Sequence, residues 1–328
     1  MKIVLTIPSF VPHGGVRVIL EWANRLSKTG NEVSLFCGKG ASRPGWFNLS
    51  RSIKITPNER DLKGKDILII CSPHDIDLEK SKYAPKKKFI FLQMLEHLFS
   101  PGNHAFLEKC YRVYSSNLPK ILISQWNIDY LETNYPNRGQ IFYVGNGINT
   151  EDFPIEKVKK GATPTILIEG WNALNPTKDV DRVAPKVAAM LKEEGCHILA
   201  YSQLAPVDYE NVPDEFYALP SLERMNRLYH RAHILIKATR FDARSTSPLE
   251  AMAKGCVVVR GIDKGDDDLF HLDNCMKVPY DVQSVYEAAK RVLKEEDLRS
   301  KLAQSGYNHV QTYSWDFWMK EIEGILFS

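Results

Sequence analysis

Three sets of residues in this 328-residue chain have types and settings that could do chemistry: Glu250 with its polar flank, the pair Gly14 and Gly15, and His97. Glu250 lies in Arg240 to Arg260, RFDARSTSPLEAMAKGCVVVR, which joins a polar loop, a helix start and a buried strand. Ser247, Pro248 and Glu250 read as a helix N-terminus: a hydroxyl cap, a proline at the first helical position and a glutamate three residues after the cap. An S-x-x-E capping box asks for no ligand, so the carboxylate has a purely structural reading beside any functional one. Gly14 and Gly15 close the loop PSFVPHGG after a first apolar strand, and a helix follows them. Such a turn presents free backbone N–H groups at the positive end of a helix and suits an anion. The dinucleotide fingerprint G-x-G-x-x-G is absent, and a tight turn without a ligand is the other reading. His97 follows the strand Phe89 to Leu92 in QMLEHLF, at a strand end where open α/β sheets bind ligands, although a lone histidine can also be a satisfied polar residue. Asp75 and Asp77, Asp179 and Asp181, and Asp266 to Asp268 imitate an Asp-x-Asp metal site. Short acidic patterns of this kind arise by chance, and no metal is expected.

The elements that must position these residues alternate. Strands are expected at Lys2 to Ile7, Val33 to Cys37, Ile67 to Cys71, Phe89 to Leu92, Ile121 to Ser124 and Ile141 to Val144, with a helix from about Val16 to Thr29 after the glycine pair. A turn-rich and then polar stretch, Gly145 to Gly161, reads as a linker. The alternation restarts with a strand at Thr165 to Glu169, a helix over Asp179 to Glu194, strands near His197 to Tyr201 and Phe216 to Leu219, a helix over Ser221 to Arg231 and a strand at Ile234 to Lys237. After the 240–260 stretch come helices at about Val282 to Lys294, Asp297 to Thr312 and Trp315 to Leu326. Length and pattern together predict two doubly wound α/β domains, 1–150 and 151–312.

Composition narrows the setting. The chain is 44% hydrophobic and 25% charged, and no apolar run approaches the roughly 20 residues of a membrane span. The start reads as a strand rather than a secretion signal, which points to the cytoplasm. The six cysteines are scattered without a C-x-x-C pair, so neither zinc nor disulfides are expected. The net charge of +3 conceals a split: residues 1–150 hold 20 Lys and Arg against 12 Asp and Glu, and the remainder 23 against 28. The basic half fits an anionic partner or an acidic membrane surface at the inner face, or simply a solvated face, as for Lys86 to Lys88.

The Gly14-Gly15 turn, the N-G-I-N linker at Asn146 to Asn149 and the pattern P-L-E-A-M-A-x-G-x-V-V-V from Pro248 to Val259 together resemble the retaining nucleotide-sugar glycosyltransferases of family four. The likeness runs from Lys2 to the final helix and is strongest over Asp242 to Val259. It implies the GT-B fold, two Rossmann-like domains facing across a cleft, with the C-terminal helix (313–328) packing back on the first. It implies transfer of a hexosyl or pentosyl unit from a nucleotide diphosphate sugar, UDP- or GDP-linked, to a hydroxyl acceptor with retention and without a cofactor or metal. The family's two acids, eight positions apart, correspond to Asp242 and Glu250. By the resemblance Glu250 accepts hydrogen bonds from the ribose, Asp242 stands by the donor sugar, the amides of Arg244, Ser245 and Thr246 meet the diphosphate, and Lys178 neutralises the leaving group. Gly14 and Gly15 then let the first domain's backbone approach donor and acceptor, and His97 corresponds to the histidine that contacts the sugar.

The chain departs from the pattern in three places. Asp242 replaces the usual glutamate, Ala243-Arg244-Ser245 replaces glycine-phenylalanine-glycine, and Trp171 replaces an arginine, which would move a phosphate contact to Arg244 or Arg240. The acceptor is left open between a glycan, a lipid-linked glycan and a hydroxylated base in DNA. A nucleotide-sugar epimerase of the same fold and a non-catalytic nucleotide-sugar-binding module are the competing readings.

Overall fold

Parallel strands are covered on both faces, so their sequences are nearly continuous apolar runs, and such runs build this protein. The computed structural model describes residues 1–100, 102–156, 158–170, 179, 181–202 and 212–328. Among them the chain forms two compact units, Met1–Asn146 with Asp316–Ser328, and Gly147–Trp315.

The sheet of the first unit contains β1 (Lys2–Thr6), β2 (Glu32–Phe36), β3 (Lys54–Thr56), β4 (Ile67–Ile70), β5 (Lys87–Leu92), β6 (Lys120–Leu122) and β7 (Ile141–Tyr143). Their spatial order is β3-β2-β1-β4-β5-β6-β7, and all pairs are parallel. Helix α1 (Gly14–Lys28) buries Val16, Val18, Ile19, Leu20, Trp22, Ala23 and Leu26, residues that recur at helical spacing. Trp22 anchors it by stacking on Phe91 of β5, with ring centroids 4.1 Å apart. Helices α2 (His104–Ser115) and α3 (Gln125–Asn134) follow. The final helix, Trp315–Phe327, belongs to this unit apart from its first residue. Thr29 donates to Glu323 at 2.5 Å, Lys87 donates to the carbonyl of Ser328 at 2.6 Å, and Trp318 packs edge-on against Tyr143.

The second unit repeats the plan with β8 (Thr165–Glu169), β9 (His197–Ser202), β10 (Glu215–Ala218), β11 (Ile234–Ala238), β12 (Val257–Gly261) and β13 (Met276–Val278), in the order β10-β9-β8-β11-β12-β13. Its described helices are α4 (Val183–Glu193), α5 (Leu222–Arg231), α6 (Thr246–Met252), α7 (Val282–Lys294) and α8 (Glu296–Gln311). The unit begins and ends at one tight junction. The Ile148 amide donates to the carbonyl of Tyr313 at 2.9 Å, and a Cβ on Gly147 would lie 2.5 Å from the Trp315 nitrogen.

Three helix starts differ from expectation. Helix α1 begins at Gly14 rather than about Val16, so the glycine pair lies in its first turn, and the Gly15 amide donates to the capping His13 Nδ1 at 3.2 Å. Helix α4 begins at Val183 rather than Asp179, because the Asp179 carboxylate reaches forward to accept from the amides of Val183 (2.8 Å) and Ala184 (2.9 Å). Helix α6 begins at Thr246 with Ser245 at its cap position, which puts Ser247 and Pro248 inside the first turn. Ser247 and Glu250 therefore form no capping box, and both side chains are committed elsewhere. The edge strands β3 and β13 were not anticipated: three-residue strands containing a lysine lack the apolar run that marks the inner ones.

Candidate functional site

In the second sheet the strand order reverses between β8 and β11, and ligands of open α/β sheets bind outside the carboxyl ends of strands at such a point. All three central strands end there on a charge: Glu169 on β8, Lys237 near the end of β11 and Arg260 near the end of β12. The parallel register aligns them. Tyr201 lies beside Glu169, Lys237 beside Arg260, and Arg260 beside Lys277, while the pairing of Ile236 with Ile168 brings Lys237 next to Glu169.

The row is buried, so its charges must satisfy one another. Lys237, 4% exposed, donates to Glu169 Oε1 at 2.7 Å and to Ser247 Oγ at 3.2 Å, and stands 3.5 Å from Asp242 Oδ2. Burial opposes its charge, but Glu169 and then Asp242 hold its ammonium above the usual lysine value. Arg260, fully buried, donates through Nε to Asp266 Oδ2 at 2.5 Å and through Nη2 to Thr239 Oγ1 at 2.7 Å; Nη2 is also 3.5 Å from Asp242 Oδ2. Ser245 completes the loop: its hydroxyl donates to Asp242 Oδ2 at 2.8 Å and its amide to Asp266 Oδ1 at 2.7 Å. The Ser247 hydroxyl donates to Glu169. Asp242, 17% exposed, is thus a carboxylate set against two buried cations with part of its surface still open.

Glu250 is buried next to the same row, joined to it through Tyr229 and Tyr201. Its Oε2 accepts from the Tyr229 hydroxyl at 3.1 Å, and the Tyr229 and Tyr201 hydroxyls are 3.5 Å apart. Burial, then the charges around them, raises both phenols well above the ordinary tyrosine range, so both remain donors.

Asp242, Arg244, Ser245, Thr246 and Glu250 lie in one stretch of the second unit, where Ser245 bonds Asp242 while two of the other groups have partners elsewhere. The Ser245 amide is taken by Asp266. The Arg244 guanidinium is buried within its own unit, 3.3 Å from Asp268 Oδ2 and centred 4.7 Å over the ring of Tyr313. Arg240 is the exposed cation of this loop, with Asp181 3.2 Å from its Nη2. Lys178 and Trp171 lie outside the described residues.

In the first unit the strand order reverses between β1 and β4. Gly14 opens α1 with unfilled space beside its Cα, and Gly15 fits against the Gln93 side chain, whose amide donates to the Gly15 carbonyl at 3.0 Å. His97 is enclosed by tyrosines: Nδ1 lies 3.0 Å from the Tyr114 hydroxyl, and Nε2 lies 3.4 Å from that of Tyr130, whose ring stacks on the imidazole. The same Tyr114 oxygen also accepts the His97 amide at 3.3 Å, so hydroxyls flank both ring nitrogens of a neutral imidazole. Burial lowers the histidine's pKa and favours this neutral form. Beside it, burial and the charge of Asp75 push the Glu96 carboxyl up to about 8.

The acidic patterns have local partners. Asp77 pairs with Arg112 at 2.8 Å, Asp179 caps α4, Asp181 meets Arg240, Asp266 meets Arg260 and Asp268 meets Arg244. No group of three or more His, Cys, Asp or Glu side chains able to hold a metal ion occurs among the described residues. No described helix is long and apolar enough to cross a membrane.

None of Glu169, Lys237, Arg260 and Tyr229 was singled out from the sequence alone, and Asp266 entered only as part of a chance acidic pattern. A visible mark was available for the first three, namely a lone charge ending an apolar strand run: ILIE, ILIK and VVVR.

Comparison with known proteins agrees with this architecture. Residues 186–324 match the family model described as glycosyl transferase-like. Among solved structures, sucrose-phosphate synthase from Thermosynechococcus elongatus superposes with a TM-score of 0.83 at 14% identity, covering 99% of this chain and 98% of that one. Anabaena HepE in complex with UDP-glucose superposes with a TM-score of 0.79 at 13% identity, covering 99% of each chain. A glycosyltransferase from Rickettsia africae gives 0.73 at 15% identity, covering 99% and 97%. No curated protein matches by sequence. The chain has the α/β fold of GT-B glycosyltransferases, and its residues 186–324 match the glycosyl transferase-like family model.

Proposed function

We propose that this chain is a glycosyltransferase that moves a sugar from a nucleotide diphosphate sugar to a hydroxyl acceptor with retention at the anomeric carbon. The observation that carries the reading is Glu250: a buried carboxylate held by the Tyr229 hydroxyl, in the loop and helix after β11, inside the matched region 186–324. A carboxylate fixed in this way can accept from the paired hydroxyls of a ribose. HepE, which shares the fold, binds UDP-glucose, and this supports a uridine nucleotide as the first donor to try.

In the proposed reaction the bond between the anomeric carbon and the diphosphate breaks, the acceptor oxygen bonds to the same face of that carbon, and the acceptor proton passes to the departing phosphate. Asp242 stands by the sugar, and Lys178 with the amides of Arg244 and Thr246 receives the developing charge. From the first unit, Gly14 and Gly15 are assigned to close approach of backbone, and His97 is assigned as a contact to the sugar. No metal or cofactor has a part. The surplus of basic residues in 1–150 fits an acceptor on an anionic glycan or at a membrane surface.

The test is a thermal-shift screen of UDP-, GDP-, ADP- and dTDP-sugars. A donor at 100 times its dissociation constant adds about 2.7 kcal/mol of stability, so a rise in Tm of roughly 5–10 °C is expected for at least one. No shift with any of them would refute the reading, and conversion of the donor sugar without an acceptor would replace it by epimerisation.

A further inference from the structure

We propose that Lys237 and Arg260 are positioning residues that clamp Asp242, with Glu169 competing for Lys237, so that Asp242 meets the sugar of the donor as an oriented, ionised hydrogen-bond acceptor. The role of Asp242 beside a sugar rests on the transferase reading above; the clamp itself is read from the geometry.

The two cations come from neighbouring strands, β11 and β12, and both address the same oxygen. Lys237 Nζ and Arg260 Nη2 are each 3.5 Å from Asp242 Oδ2, and the Ser245 hydroxyl reaches that oxygen at 2.8 Å. Neither cation can turn toward solvent, since Lys237 and Arg260 are buried on all sides. Arg260 is in turn fixed through the carbonyl of Lys237 (3.0 Å), Thr239 and Asp266. Oδ2 is therefore held from within the protein, Oδ1 accepts from the Ala243 amide at 3.1 Å, and the side chain as a whole remains 17% exposed. A carboxylate so held accepts hydrogen bonds in one direction and resists protonation.

Glu169 gives the arrangement its adjustable element. It sits on β8 across Lys237 from Asp242 and takes the shortest contact of that ammonium, 2.7 Å against 3.5 Å. Among the described groups around Asp242, Lys237 and Arg260 favour its charge, and Glu169 and Asp266 oppose it. Changing Lys237 or Glu169 moves the balance in opposite senses, a signature that general loosening of the fold does not share.

The experiment follows the Asp242 carboxyl by 13C NMR titration in the full chain and measures binding of UDP and of UDP-glucose. In Lys237→Met the titration midpoint is expected to rise by about 1 pH unit, and in Glu169→Gln to fall by about half a unit. Lys237→Arg should stay near the wild type. Lys237→Met should weaken UDP-glucose binding about 10-fold while leaving UDP within about 2-fold, because only the sugar meets Asp242. If Lys237→Met does not fold, Ser245→Ala replaces it, with the midpoint again expected to rise. Shifts of the same sign in the lysine and glutamate variants, no shift in either, or equal losses for UDP and UDP-glucose would overturn the clamp. A wild-type protein that binds neither UDP nor UDP-glucose would refute a uridine donor, and the titration would still decide the clamp.

Discussion

The Tyr229 hydroxyl donates to Glu250 Oε2 at 3.1 Å from a fully buried ring on α5, so the nucleotide-facing carboxylate of the proposed site is oriented by a helix 21 residues upstream. Tyr229→Phe removes that bond and little volume. A loss of about 1 kcal/mol in stability is expected, together with a 3- to 10-fold loss in affinity for the donor. Glu250→Ala should cost more in binding, about 1.5–3 kcal/mol or roughly 10- to 150-fold. Calorimetric titration of both variants with the donor found in the screen, beside their melting temperatures, checks the order. Unchanged donor affinity in Glu250→Ala with a lowered Tm would leave that glutamate a structural residue only.

Glu96 supplies a pH dependence with a defined sign. Burial first, and then the Asp75 charge, raise its folded-state pKa to about 8 from the ordinary 4.5 of a glutamate. Between these values the folded chain binds more protons than the unfolded one, so this group's contribution to stability is full below the lower value and is lost as pH rises toward the upper. Glu96→Gln keeps the shape and removes the titration. It is expected to stabilise the protein by roughly 4 kcal/mol at pH 8 and by less than about 0.5 kcal/mol near pH 4.5. Melting temperatures across that range test it; a gain independent of pH would show that the carboxyl is ionised throughout.

Gly147 allows the chain to pass Trp315 where the second unit closes on itself. A Cβ there would approach the Trp315 nitrogen to 2.5 Å and its Cα to 2.6 Å, and backbone atoms cannot yield as a flexible side chain does. Gly147→Ala is expected to cost about 1–3 kcal/mol, read as a fall in Tm. Gly14→Ala, where no atom lies within 4 Å of the added carbon, serves as the matched comparison and should change Tm little in the absence of ligand.

Much of the scaffold was legible because its evidence is local. The apolar runs of β1, β4, β5, β8, β11 and β12 and the periodic faces of α1 and α7 each carry their own pattern within a dozen residues. The polar ends of elements were harder to read. Ser247-Pro248-x-Glu250 has the composition of a capping box, yet tertiary partners claim both side chains: Ser247 binds Glu169 and Lys237, and Glu250 binds Tyr229. Asp179 looked like the first residue of a helix and is instead its cap from four residues away.

Residue order alone determined that two runs of alternating strands and helices would form two parallel sheets, because burial on both faces demands apolar runs whatever lies beside them. It also marked Asp242 to Glu250 as a polar loop and helix start leading into a buried strand. Only the tertiary structure decided what those side chains do. Glu169 and Lys237 are 68 residues apart, and Lys237 and Arg260 are 23 apart, yet strand register sets them side by side. In a buried row a charge takes the nearest opposite charge, and that neighbour is chosen by sheet order rather than by distance along the chain.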